Sequence, residues 1–320
     1  MTPPFLSVAD LVVSQGATRL VDGVSFDIGK GEIFGLVGES GSGKTLTALA
    51  LMRLLAPPLQ ATGAIRLDGR DLLALSEREM RTVRGGQVGM IFQEPTAALN
   101  PVFTIEAQLA AALHAHTTLT AREARARVEQ LLAQVGLPDP ARRRRFYPHQ
   151  LSGGQCQRVM IAMALAGGAR LLIADEPTTA LDVTIQEEIV GLIEQLARDT
   201  GIAVLFISHD LGLVARLCHR IAVAYAGEIV EIGDASSLLQ SPRHPYTQGL
   251  VRCVPQLHAI GVLQRGIPGT PPSPGAWPAG CRFAARCPQS GPGCEAPQAL
   301  IGPARCWRTR EPAEIAMAPA

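Results

Sequence analysis

The sequence lacks a net charge of either sign, a long apolar run and a leader-like start. Its 29 Lys and Arg balance 28 Asp and Glu, for a formal charge of +1. A broad nucleic-acid footprint needs a clear basic excess, so that class of partner is set aside. No apolar stretch reaches the ~18 residues that suggest a membrane span. The best candidate, Val159 to Ala169, stops at Arg170. The opening residues, MTPPFLSVAD, have neither a basic region nor an apolar signal core, and a cytoplasmic location is expected on that ground. Any action at a membrane then runs through a partner. No internal repeat is present.

What is there is a core-forming composition. Hydrophobic residues make up 47% and charged residues 18% of 320, enough to bury a large core and to argue against disorder. The length suits one large domain plus an appendage, or two small domains. Of seven cysteines, Cys156, Cys218 and Cys253 are scattered, and Cys281, Cys287, Cys294 and Cys306 crowd into the tail. A reducing cytosol disfavours disulfides, so the clustered four lean towards metal.

Two strand-like runs open the chain, LSVADLVV and VDGVSFDI. A third, EIFGLV, leads through a glycine-rich turn into an apolar helix, TLTALALMRLL. Thr104 to Leu137 reads as two amphipathic helices, RLLIADE as a strand, TIQEEIVGLIEQLARD as a helix and GIAVLFISHD as a strand. Strands alternating with helices imply a mostly parallel sheet. IAVAYAGEIVEIG reads as a hairpin turning at Ala226–Gly227. Composition shifts near Gly233, and GIPGTPPSPGAWPAG can sustain neither helix nor central strand, so it connects to the cysteine segment.

GESGSGKT, Gly38 to Thr45, matches GxxxxGK[ST] in full. Glycines let the backbone point several N–H groups at phosphate, and the following helix adds its positive end. The expected nucleotide contacts are Gly38, Ser40, Gly41, Ser42, Gly43, Lys44 and Thr45, with Lys44 on the β- and γ-phosphates and the Thr45 hydroxyl on Mg²⁺. The loop alone says only that a nucleoside triphosphate binds. LLIADE ends a buried strand on Asp175, suited to hold Mg²⁺ through water, and Glu176, suited to accept a proton from, or orient, the attacking water.

LSGGQ, Leu151 to Gln155, lies about one helix ahead of LLIADEPTTALD, and with the elements above it resembles the ABC ATPase family over Leu6 to Gly233. The resemblance implies an α/β fold: a P-loop core with a RecA-like sheet, a β subdomain and an α-helical subdomain. Residues 1–235 would be the nucleotide-binding domain, with the helical part at about 95–165, and residues 236–320 a C-terminal extension. It also implies that Ser152, Gly153, Gly154 and Gln155 face the γ-phosphate held by a second subunit. Gln93, in MIFQEP, matches the glutamine loop that senses Mg²⁺ and the attacking water. Asp182, in TALD, matches the loop that crosses the dimer interface, and His209, in FISHD, the switch histidine on the γ-phosphate. Catalysis would rest on Glu176, His209, Gln93 and Lys44, and Mg²⁺ on Thr45, Gln93 and Asp175.

SPRHPYTQGL, with VGESGSGKT, Asn100–Pro101, YPHQLSGG and VMIAMAL, resembles the oligopeptide, dipeptide and nickel importer branch. That implies a second ATPase subunit, usually a paralogue, two membrane-spanning permease subunits, an extracytoplasmic binding protein, and a peripheral seat on the cytoplasmic face of the membrane. HPYTQGL is expected only to dock the extension. In this branch cysteines spaced C-x5-C-x6-C-x11-C can hold a [4Fe–4S] cluster; zinc or free thiols are the alternatives. The family's adenine-stacking aromatic is missing, because VVSQGATRL offers Gln15 instead. The run Arg142 to Arg145 is expected on a solvated face or against the membrane partner. A non-transport ABC ATPase of DNA repair or translation is disfavoured, since the chain has neither a long coiled-coil insertion nor two cores. A P-loop kinase does not fit LSGGQ or the switch histidine, and a purely regulatory subunit would be expected to lack Glu176 or His209.

Overall fold

The computed structural model describes residues 3–179, 181–254 and 266–309. The chain divides into two compact units.

One unit comprises Met1–Ile28, Phe34–Leu73 and Ser208–Ala320. Strands β1 (Leu6–Gln15) and β2 (Thr18–Ile28) form the expected antiparallel pair. On the other side of β1 lies β4 (Leu59–Leu67), followed by the short β5 (Arg70–Asp71). Side chains alternate along β1 on either side of an irregularity at Asp10 (φ 49°), with Leu6 and Val8, then Leu11 and Val13, buried, the period of a sheet with one covered face. Strand β3 (Ile33–Val37) is buried throughout and pairs in parallel with β9 (Arg220–Tyr225). Strand β10 (Glu228–Asp234) turns back on β9 at Ala226–Gly227, both with positive φ. Among the described residues its α-helices are α1 (Lys44–Leu51), α9 (Leu211–Leu217), α10 (Ala235–Gln240) and α11 (Pro245–Arg252).

The second unit comprises Gly29–Ile33 and Ala74–Ile207. Its strands β6 (Val88–Ile91), β7 (Leu171–Asp175) and β8 (Ala203–Ser208) are parallel and buried along their whole length, as strands covered on both faces must be. Its helices are α2 (Glu77–Val83), α3 (Pro95–Ala98), α4 (Ile105–His114), α5 (Ala121–Gln134), α6 (Pro140–Arg143), α7 (Gly153–Leu165) and α8 (Val183–Thr200). Thr120 and Glu123 start α5 with a reciprocal capping box, and Ala124, Val128, Leu131 and Leu132 form its buried stripe. Asp182 caps α8, and Gly201 (φ 67°) ends it in the left-handed region. Helices α3, α4 and α5 pack on α7, whose many buried residues explain the apolar run from Val159. No described helix is long and apolar enough to cross a membrane.

The basic run departs from expectation. Arg144 is buried, pairing with Glu106 and, at 2.8 Å, with Glu129. Arg125 also pairs with Glu106 at 3.0 Å, and these guanidinium partners outweigh burial and hold the Glu106 carboxyl below its usual range. Arg144 therefore ties α4 and α5 to the segment after α6, and only its neighbours serve as charged surface.

Candidate functional site

The phosphate loop joins β3 to α1. Gly41 (φ 79°) and Gly43 (φ 96°) occupy the left-handed region. At Gly38 a Cβ would lie 2.1 Å from the Ala224 carbonyl oxygen, so only glycine lets the loop run this close to β9. Lys44 is buried at the start of α1, and its Nζ donates to the carbonyls of Gly38 (2.8 Å) and Glu39 (3.0 Å). Ser40, Gly41 and Thr45 are exposed. The Ser42 hydroxyl oxygen is buried and has no hydrogen-bond partner in the structure, a group whose need a phosphate oxygen would answer. A helix N-terminus, a curled lysine, glycine-shaped backbone and an unanswered hydroxyl suit a triphosphate; the Thr45 hydroxyl beside them suits Mg²⁺. His209 follows β8 and is exposed; Asp210 then caps α9 through the Leu213 N–H at 3.0 Å.

In the second unit, β7 ends on buried Asp175. Glu176 follows with φ 46°, left-handed for a residue that is not glycine. Its N–H donates to the Ile207 carbonyl (2.9 Å) and its Oε2 accepts from Thr179 Oγ1 (3.0 Å). The strand end and this side-chain bond thus fix where the carboxylate sits. Gln93 is exposed two residues past β6. Ser152 caps α7, and Gln155 returns the bond to the Ser152 N–H at 3.2 Å. A Cβ on Gly154 would stand 2.7 Å from Ile185, and one on Gly153 3.5 Å from Leu181. The signature segment is therefore packed against the start of α8, where Asp182 accepts from the Ile185 N–H at 3.0 Å. The structure brings Ser152, Gly153, Gly154, Gln155 and Asp182 together, and gives Asp182 a capping task as well.

The tail thiols lie within electrostatic reach of one another, Cys281 and Cys287 each facing Cys294 and Cys306. Cys294 and Cys306 are buried and Cys281 and Cys287 half-buried. Among the described residues no three of His, Cys, Asp and Glu stand close enough to hold a metal ion. Burial pushes the Cys281 thiol up to about 11 and also raises Cys287 and Cys306. The donor type suits iron–sulfur or zinc, though no metal-holding group is formed among the described residues.

HPYTQGL does more than dock. His244 caps α11, its Nδ1 accepting from the Tyr246 N–H at 3.1 Å. Its own N–H donates to Glu231 on β10 at 2.8 Å. Tyr246 is fully buried, and its hydroxyl accepts from the N–H of Glu39, inside the phosphate loop, at 3.0 Å. No local pattern announces that contact across 207 positions; a charged residue in the loop's first variable position was the available signal.

A glycine-shaped phosphate loop, an acidic strand end and a capped LSGGQ helix define an ATP-binding cassette. The family model described as ABC transporter matches residues 21–179, and the one described as oligopeptide/dipeptide transporter, C-terminal region, matches residues 230–294. Similar proteins include the dipeptide transport ATP-binding protein DppD of Bacillus subtilis, 49% identical over 88% of this chain and 86% of its own length. DppD of Escherichia coli is 46% identical over 88% and 87%, and a putative peptide import ATP-binding protein of Brucella abortus 46% over 94% and 92%. Among solved structures, the dimeric cassette MJ0796 bound to ADP and Pi matches with TM-score 0.64 at 27% identity, over 72% of this chain and 98% of that one. The protein cbiO1 of Clostridium perfringens matches with TM-score 0.66 at 26% identity, over 74% and 91%. The chain belongs to the ABC transporter family, as an ATPase subunit carrying the oligopeptide/dipeptide-type C-terminal region.

Proposed function

We propose that this chain hydrolyses ATP to drive peptide uptake, paired with a second ATPase subunit and seated on two membrane-spanning permease subunits. The loop from Gly38 to Thr45 holds the phosphates, with Lys44 on the β- and γ-phosphates. Thr45, Gln93 and Asp175 hold Mg²⁺, which when bound offsets charge on the phosphate oxygens. Glu176 takes the proton of the attacking water, and His209 contacts the γ-phosphate. Ser152 to Gln155 complete the partner subunit's site, and Asp182 lies at that interface. Phe92, Val102 and Phe103, exposed around Gln93 and the start of α4, offer an apolar seat for a permease loop. An extracytoplasmic binding protein delivers the substrate, and the subunit works peripherally at the cytoplasmic face.

The observation that carries this reading is one chain with a triphosphate-shaped loop, an LSGGQ helix and the peptide-transporter C-terminal region. Uptake of labelled dipeptide in cells carrying only the Glu176→Gln form tests it. Loss of uptake, restored by the unsubstituted chain, is expected. Dipeptide uptake at the unsubstituted rate would move the cargo to longer peptides, nickel or another small solute; ATP turnover at the unsubstituted rate in Glu176→Gln would remove Glu176 as the catalytic base. A thiolate-held [4Fe–4S] or zinc centre on Cys281, Cys287, Cys294 and Cys306 is retained as a proposal on donor chemistry alone. Iron and zinc analysis of anaerobically prepared protein tests it.

A further inference from the structure

We infer that Arg286, in the cysteine-bearing tail, is a positioning and charge-balancing residue for ATP binding, acting through Glu39 of the phosphate loop. The inference rests on reading Gly38 to Thr45 as the ATP loop. Glu39 is held at three points. Its N–H donates to the Tyr246 hydroxyl, its carbonyl accepts from Lys44, and its carboxylate accepts two bonds from the Arg286 guanidinium, at 2.6 and 2.9 Å. This is the forked pairing that fixes orientation as well as charge.

Arg286 cannot easily turn elsewhere. Its Nε donates to the Pro268 carbonyl at 2.8 Å, and its remaining N–H groups reach the Ile267 carbonyl and the Tyr225 hydroxyl, both at 3.3 Å. Its side chain is 5% exposed. Tyr225, Tyr246 and Phe283 pack edge to face or tilted around it, with ring centroids 4.5–5.4 Å apart. The Glu39 bonds hold the guanidinium pKa above its ordinary value.

The chemistry follows from charge. A carboxylate in the loop opposes the triphosphate that the loop must accept. Arg286 cancels that charge and pins the carboxylate at the start of the loop, while Lys44 ties down the same residue's carbonyl. The tail therefore contributes to the binding energy of ATP without touching it, and Arg286 acts only through Glu39.

The sign pattern of three variants separates this from a merely structural role. AMP-PNP with Mg²⁺ is titrated into the full-length chain by calorimetry, with thermal midpoints measured alongside. Arg286→Gln leaves the loop carboxylate unbalanced, and Kd is expected to rise about tenfold. Glu39→Gln leaves Arg286 unbalanced, and Kd should fall by about threefold. The double variant restores balance and should return to within about twofold of the parent. A structural clamp would instead weaken all three and lower all three midpoints; that result, or an unchanged Kd in Arg286→Gln, overturns the inference. If Arg286→Gln does not fold, Arg286→Lys keeps the charge and loses the fork. It should bind within about threefold of the parent, and a tenfold loss there also overturns the inference. Lys44→Ala tells the two readings apart: parent-like AMP-PNP binding in that variant would sink the loop assignment itself.

Discussion

Lowering the pH from 7.5 to 5.5 should loosen the C-terminal extension through one histidine. His244 is 1% exposed, its Nδ1 already accepts the Tyr246 N–H, and burial lowers its pKa from 6.5 to about 3. A proton there would turn the acceptor into a donor facing a donor. In the unfolded chain the same ring takes up a proton near pH 6.5, so between pH 6.5 and 3 the unfolded state binds more protons. Stability is therefore full above pH 6.5 and falls on acidification, by about 1.4 kcal/mol per unit once below that value. From pH 7.5 to 5.5 the loss attributable to His244 is about 1.4 kcal/mol. Both tryptophans, Trp277 and Trp307, lie in the extension, so urea titrations followed by tryptophan fluorescence report on this region. His244→Asn keeps a capping oxygen and removes the titration. The difference in pH slope between parent and variant isolates the effect, and parallel slopes would refute the argument.

Three further outcomes are expected. Gly38→Ala should lower kcat/KM for ATP about 100-fold, because the new methyl must displace the Ala224 carbonyl, 2.1 Å away, by more than 1 Å; steady-state turnover checks it, and a tenfold or smaller effect refutes it. Gln15, exposed at the end of β1, offers adenine no aromatic face, so GTP should support turnover within tenfold of ATP in side-by-side assays. Arg144→Ala should destabilise the second unit by about 2 kcal/mol in urea titrations followed by circular dichroism, a value discounted for the partial exposure of Glu106 and Glu129; an unchanged midpoint would contradict the buried ion-pair reading.

Much of this was legible in the sequence because the information is local. The stripe of α5, the strand–loop–helix of the phosphate loop and the hairpin at Ala226–Gly227 are each written within about twenty residues, where period and turn chemistry decide the outcome. The roles expected of the ATP-site residues came from ordered motifs, not from any one residue. What stayed hidden depends on distance along the chain. Arg144 sits in a run of four arginines that looks uniformly solvated, and only its facing glutamates single it out. Strand β4 follows two prolines and includes Gly63, so its local signal was weak. The meeting of Tyr246 and Arg286 with Glu39 spans more than two hundred positions, and no local rule encodes it.

The unit that holds the phosphate loop is stitched from three stretches, and its last one begins at Ser208. This has a consequence for how the protein is made. As the chain leaves the ribosome, β1 to β4 and the loop emerge first, then wait while the whole of Ala74–Ile207 is synthesised. The first unit cannot close until β9, β10 and the tail arrive. During that interval β3 lacks its partner β9, and Glu39 is a bare carboxylate in an unbraced loop. The ATP site is thus among the last parts of the molecule to become competent, and a ribosome that stops early releases a chain with its nucleotide loop unfinished.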